Sequence, residues 1–175
     1  MAIEYRTDLE YWERLDGVDY PKVSPKTTHA LVQGAFVALL RELTIGRGFC
    51  GTEWRFRIGS ADGTDSWLVP DIAFVSTERM SLLPRANREE PPFAPDIAIE
   101  VRSPSHRSQL FERKVARYLN AGSLLVLDVD PETRAIYAHD ASGMRPFASG
   151  MLFEYRALPW LKFDVTAIFS DLADD

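Results

Sequence analysis

The chain has 175 residues, 46% of them hydrophobic and 26% charged, with a formal net charge of −6; that length and composition predict one globular domain with its own core. Cys50 is the only cysteine, which excludes an intramolecular disulfide, and with only His29, His106 and His139 beside it argues against a Cys/His zinc centre. The acidic balance argues against a broad basic coat for nucleic acid, and the absence of a leader-like or bilayer-spanning apolar run points to a reducing, cytoplasmic setting.

In chain order, Asp16-Gly17 within WERLDGVDYP predicts a β-hairpin, because Asp-Gly suits the positive φ values of a type I′ turn. Ser24-Pro25-Lys26-Thr27 offers caps to a long helix with Leu31, Phe36, Val37, Leu39, Leu40 and Leu43 at helical spacing, stopped at Gly46. Thr52 to Ile58 alternates like one half-buried strand, and Ser60 to Thr64 turns the chain back. Trp67 to Val75 is apolar on both faces apart from Asp71, the pattern of a central strand, with Pro70 marking a bulge or an edge. A polar loop from Thr77 to Pro92 leads to a strand from Asp96 to Arg102 and a turn at Ser103-Pro104-Ser105.

Ser108 then caps a helix running to Ala121, with Gly122 as its stop, and Leu124 to Val129 reads as a buried strand reached by a helical crossover. Arg134 to His139 and Met151 to Arg156 look like a hairpin, followed by a short apolar end from Leu158 to Leu172. This order predicts a mixed α/β sheet flanked by helices: a hairpin extension over 1–25, a core over 26–130, and C-terminal strands and tail over 131–175.

The strand from Asp96 to Arg102 carries the chemistry. Its period of two puts Asp96, Glu100 and Arg102 on one face and Ile97, Ile99 and Val101 on the other. Carboxylates in buried strands are costly unless a cation satisfies them, so Asp71 and Glu100 form a candidate pair for Mg²⁺, which needs only one or two carboxylates besides water. Such an ion provides both an oxyanion stabiliser and an activated water for phosphodiester hydrolysis. Lys114 borders the apolar stripe of its helix, between Leu110 and Tyr118, so its amine can reach the sheet; a snorkelling lysine would look the same. Between Arg79 and Arg117 the charge is +3, leaving −9 elsewhere, a gradient that a solvated helix face would also produce. Ser103 or Ser105 beside His106 makes no triad, since no Gly-rich elbow surrounds either serine.

Pro70-Asp71, Glu100-Val101-Arg102-Ser103-Pro104-Ser105, Lys114 with Tyr118, Ala121-Gly122 and Asp128-Val129-Asp130-Pro131, in that order, resemble the Uma2 family (DUF820) of restriction-endonuclease-like proteins in the PD-(D/E)XK superfamily. Glu13-Arg14-Leu15-Asp16-Gly17 and Ser24-Pro25 to His29 resemble the family's opening, and Leu158-Pro159-Trp160-Leu161 to Ile168-Phe169 its close. The resemblance implies a PD-(D/E)XK core with a mixed sheet and flanking helices, and a Mg²⁺- or Mn²⁺-dependent endonuclease acting on nucleic acid, above all DNA. It implies metal binding by Asp71, Glu100 and the Val101 backbone carbonyl, and places the catalytic cation at Lys114. Arg102 stands where the family commonly has an apolar residue, giving two candidates for one cationic role or an internal partner for Glu100. Asp96 resembles the residue opening the glutamate strand and is favoured as a backbone-bonded strand start over a supporting site role. His29, with Gln33 one turn on, faces either the metal site and substrate or a satisfied core position. Trp12, Tyr20, Trp67 and Trp160 are candidates for exposed apolar surface, and cutting both strands of a duplex favours a two-fold homodimer. The alternative from another class is a nuclease-fold binding or assembly module without catalysis.

Overall fold

Residues 12–22, 25–59, 63–103 and 108–172 are described by the structure, a computed structural model. The predicted hairpin is present: β1 (Trp12–Leu15) and β2 (Val18–Pro21) pair antiparallel, and the turn between them has φ of 52° at Asp16 and 77° at Gly17, both positive as a type I′ turn requires. β1 also pairs with β5 (Asp65–Leu68), which pairs with β4 (Phe56–Gly59), so the hairpin belongs to a four-stranded sheet in the order β2-β1-β5-β4.

A larger six-stranded sheet comprises β3 (Gly48–Thr52), β6 (Ile72–Ser76), β7 (Ile97–Val101), β8 (Leu125–Asp130), β9 (Ala135–Asp140) and β10 (Gly143–Ala148), ordered β10-β9-β8-β7-β6-β3. β7 and β8 run parallel because helix α3 (Ser108–Asn120) carries the chain back across the sheet. Alternation along the strands supplies both faces. Ile72, Phe74, Ile97, Ile99, Val101, Leu125, Leu127 and Val129 pack with Val32, Phe36 and Leu40 of α1 (Thr27–Leu43). On the same face lie α4 (Thr166–Phe169) and the two-stranded ribbon of β11 (Leu152–Glu154) and β12 (Lys162–Asp164). Ala73, Val75, Ala98 and Val126 point the other way, to Phe111, Val115 and Tyr118 of α3 and to Leu15, Phe56, Ile58 and Leu68 of the small sheet.

Two expected strands are each divided. Thr52 to Ile58 breaks where Glu53 takes φ of 51°, the left-handed region, so β3 joins the large sheet and β4 the small one. Trp67 to Val75 breaks at Val69-Pro70-Asp71, since Pro70 has no N–H to continue a ladder, and the chain passes from β5 in the small sheet to β6 in the large one. Both breaks fall on the seam between the sheets. That placement brings Glu53, Val69 and Asp71 to the same location.

The C-terminal pairing also differs from expectation: β9 pairs with β10, and β11 with β12. Gly143 to Ala148 does not read as a strand because Pro146 interrupts it and its residues are mostly exposed, which an edge strand tolerates. The loop after β6 contains α2 (Thr77–Ser81), capped by the Ser76 hydroxyl, and a 3-10 turn at Arg85–Asn87. Helix α1 starts after Lys26 without a side-chain cap; Ser24 lies outside the described residues, as do Ser60–Asp62 of the expected turn and Pro104, Ser105 and His106. Trp12, Tyr20, Trp67 and Trp160 are half-buried, with Trp67 under the Arg14 guanidinium at 4.3 Å and Trp160 against Phe74 at 5.1 Å. The large exposed apolar residues are instead Ile45, Leu82, Met144, Leu152, Phe49, Val18 and others scattered over the surface.

Candidate active site

Ile72 lies opposite Ile99 and Ala73 opposite Ala98; one step further along the same register sets Asp71 across from Glu100. Both residues fall on the α3 face and both are buried, 5% and 8% exposed. Asp71 Oδ2 accepts the Val101 N–H at 2.7 Å, which ties the β6 carboxylate to the strand carrying Glu100. The Asp71 carbonyl accepts from Gln33 Nε2 at 2.9 Å, and His29 Nε2 is 3.5 Å from Asp71 Oδ2. His29 and Gln33 lie one helical turn apart on α1, as expected, and flank the carboxylate. His29 Nδ1 is buried without a hydrogen-bond partner among the described residues.

Two ammonium groups enter, one from α3 and one from the end of the hairpin. Lys114 Nζ lies 2.6 Å from Glu100 Oε1 and donates to Glu13 Oε2 at 3.0 Å, while the Tyr118 hydroxyl, one turn along α3, donates to Glu100 Oε1 at 3.0 Å. Glu13 is held in turn by the Val69 N–H at 2.8 Å from its Oε1. Lys22, just after β2, donates to Glu53 Oε2 at 2.7 Å, the Val69 carbonyl at 2.6 Å and Asp71 Oδ1 at 3.2 Å. Gln33 Nε2 also reaches Glu53 Oε1 at 3.4 Å.

Burial pushes the Glu100 carboxyl up to about 7; Glu13 and Asp71 push the same way, and the Lys114 and Lys22 ammoniums partly offset them. For Lys114 burial disfavours the charge, but Glu100 and Glu13 outweigh it and hold the ammonium above the ordinary lysine value. Lys22 follows the same pattern, with Asp71 and Glu100 outweighing its burial. Burial beside the carboxylates also lifts the Tyr118 hydroxyl well above its ordinary value, so it remains a donor.

The structure therefore brings together Asp71, Glu100, Val101, Lys114, His29 and Gln33. It does not bring Arg102 to them. The parallel register sets Asp128 beside Glu100, and Arg102 reaches sideways with a forked pair to Asp128 at 2.8 and 2.5 Å and a third bond to Asp130 at 2.8 Å, over the Tyr137 ring. Of the alternatives open for Arg102, neither a place in the site nor a pair with Glu100 is found: Lys114 pairs with Glu100, and two carboxylates on β8 hold the guanidinium. Asp96 sits at the start of β7, away from Glu100 at its end, and accepts from the Ser76 N–H at 2.7 Å and Arg79 at 2.9 Å. The basic segment makes no free patch of these arginines: Arg79 pairs with Asp96, Arg102 with Asp128 and Asp130, and Arg113 and Arg117 both with Asp16, docking α3 onto the hairpin.

Sequence reasoning missed Glu13, Lys22 and Glu53. Glu13 had a legible signal, since it shares the inward face of β1 with Leu15 and a carboxylate on an apolar face demands a partner. Lys22 and Glu53 had none, because each reaches the site only through the way the two sheets meet.

Among the described residues, no group of three or more His, Cys, Asp or Glu side chains forms a ready-made cage. The residues nevertheless suit a hard divalent cation: carboxylate and carbonyl oxygens already converge on the Lys22 ammonium. Glu13, Glu53, Asp71 and Glu100, fully ionised, outnumber Lys22 and Lys114 by two charges, which one divalent ion would balance.

A mixed six-stranded sheet with a parallel central pair, a crossover helix bringing in a lysine, and two facing strand carboxylates define a protein of the restriction-endonuclease-like fold. The chain belongs to the Uma2 family, described as "Putative restriction endonuclease", whose model matches residues 2–150. Among solved structures it is similar to a "putative nuclease belonging to DUF820" from Anabaena variabilis, at 20% identity with a TM-score of 0.79, covering 91% of this chain and 89% of the other. No curated protein matches it. No described helix is long and apolar enough to cross a membrane.

Proposed function

We propose that the protein is a cytoplasmic, metal-dependent endonuclease that hydrolyses phosphodiester bonds of nucleic acid, DNA in the first instance, and that it acts as a homodimer. The observation carrying this reading is the burial of Asp71 and Glu100 side by side at the sheet seam with Lys114 2.6 Å from Glu100. Mg²⁺ or Mn²⁺ held by Asp71, Glu100 and the Val101 carbonyl would supply Lewis acidity to the phosphate and orient and acidify a bound water for attack. Lys114 keeps its proton between Glu100 and Glu13 and so offers a fixed positive charge to the phosphate as negative charge develops on it. Glu13 and Tyr118 position this pair: Glu13 holds the ammonium, and the Tyr118 hydroxyl holds the Glu100 oxygen that the ammonium touches. Gln33 and the Val101 N–H fix the Asp71 backbone and carboxylate.

One observation favours a nuclease-fold module without catalysis: each of the two strand carboxylates already has a lysine partner. Calorimetric titration with Mn²⁺ separates the readings. Measurable binding by the wild type, sharply weakened by Asp71→Asn and by Glu100→Gln, is expected of the nuclease; equal affinity in all three proteins sinks the assignment.

A further inference from the structure

We infer that the Lys22 ammonium is an internal competitor for the divalent cation: it fills the oxygen-lined position beside Asp71 in the metal-free protein, and must release Asp71 before an ion can bind there. This rests on the metal reading of Asp71 and sets its affinity. Three oxygens from separate parts of the chain, Glu53 Oε2, the Val69 carbonyl and Asp71 Oδ1, surround Nζ at 2.7, 2.6 and 3.2 Å. An ammonium has three protons to donate, so this set satisfies it completely. The Lys22 side chain is only 17% exposed, and a buried cation persists only where its partners replace its water.

The Asp71 carboxylate divides its two oxygens between two donors. Oδ2 takes the Val101 N–H and lies 3.5 Å from His29 Nε2, whereas Oδ1 takes Lys22, so the less crowded oxygen for an ion is the one the ammonium occupies. Two cations a few ångströms apart repel strongly where water is scarce, so an ion and the ammonium on that one oxygen oppose each other. The geometry also provides for release. The bond to Asp71 is the longest of the three, and Glu53 is half-exposed, with a side-chain exposure of 49%, so Lys22 can leave Asp71 while staying paired with Glu53. Metal loading is thereby linked to the segment following β2. The hairpin that precedes Lys22 is bound to α3 through Asp16 with Arg113 and Arg117 and through Glu13 with Lys114, so the competing ammonium is presented from an anchored base.

The test is Mn²⁺ titration by calorimetry on the wild type, Lys22→Met, Lys22→Arg and Asp71→Asn, with melting temperature measured with and without Mn²⁺. Lys22→Met keeps the aliphatic stem and should bind Mn²⁺ on the order of tenfold more tightly than wild type. Its metal-free form should melt lower, because Asp71 loses a partner, and it should gain more from added Mn²⁺. Lys22→Arg, which keeps the charge, should bind at the wild-type level. Lys22→Gln provides the same comparison where Met perturbs the hairpin. If Lys22→Met and Lys22→Gln bind Mn²⁺ no more tightly than wild type while Asp71→Asn binds weakly, the competition is refuted and the metal assignment stands. If Asp71→Asn binds as well as wild type, the metal assignment falls and this inference falls with it.

Discussion

Replacing Glu100 by glutamine should change how the stability of this protein depends on pH. The folded protein holds the Glu100 carboxyl at about 7 against an ordinary 4.5, chiefly through burial. Below pH 4.5 both the folded and unfolded chains carry its proton. Between 4.5 and 7 the folded state keeps a proton that the unfolded state has lost, so stability falls as pH rises through this window. Above 7 the carboxylate is ionised in both states and its full burial cost is present. At about 1.4 kcal/mol for each unit of displacement, the loss amounts to about 3 kcal/mol. A glutamine side chain does not titrate, so the difference between the two proteins isolates this group from the other carboxylates. Urea unfolding at intervals from pH 4.5 to 8 should show wild type losing about 3 kcal/mol relative to Glu100→Gln. A difference that stays flat over that range would refute the claim that burial dominates at this carboxyl.

Lys114→Ala should abolish cleavage of a DNA substrate in Mn²⁺, whereas Arg102→Ala should retain it while losing about 2 kcal/mol of stability, because it leaves the buried Asp128 carboxylate without its forked partner. Gel assays and urea unfolding of the two variants check this, and the opposite pattern of cleavage would make Arg102 the catalytic cation. Light scattering at micromolar concentration should give a mass about twice the monomer's 19.8 kDa; a value near 19.8 kDa that does not change with concentration rules out the dimer.

The local patterns in the chain were sufficient for much of this architecture. Asp16-Gly17 specifies its own turn, since a type I′ hairpin needs two positive φ values that this pair adopts at little cost. Period-two alternation in β7 assigns Ile97, Ile99 and Val101 to one face and Glu100 to the other, and that assignment holds in the packing. The spacing of Phe111, Val115 and Tyr118 puts Lys114 at the border of the buried stripe, within reach of the sheet. The interrupted strands show where local pattern ends. Thr52 to Ile58 and Trp67 to Val75 each carry a strand's periodicity, but periodicity does not say which sheet a residue joins, and both segments cross from one sheet to the other.

Partner choice among charges was decided by tertiary structure alone. From sequence, Arg102 on Glu100's strand face and Lys114 on the following helix are both candidate partners for Glu100. The parallel register of β7 and β8 gives Arg102 the carboxylates of Asp128 and Asp130, and the α3 crossover gives Glu100 the Lys114 ammonium. Lys22, Glu53 and Glu13 enter the site over separations of 49, 20 and 101 residues in their contacts with Asp71, Gln33 and Lys114. Side-chain chemistry and local periodicity are properties of neighbouring residues, and the sequence by itself determined those. The pairing of a buried charge is set by whatever the folded chain brings within about 3 Å of it, and here that depended on how two sheets meet at Glu53 and Pro70.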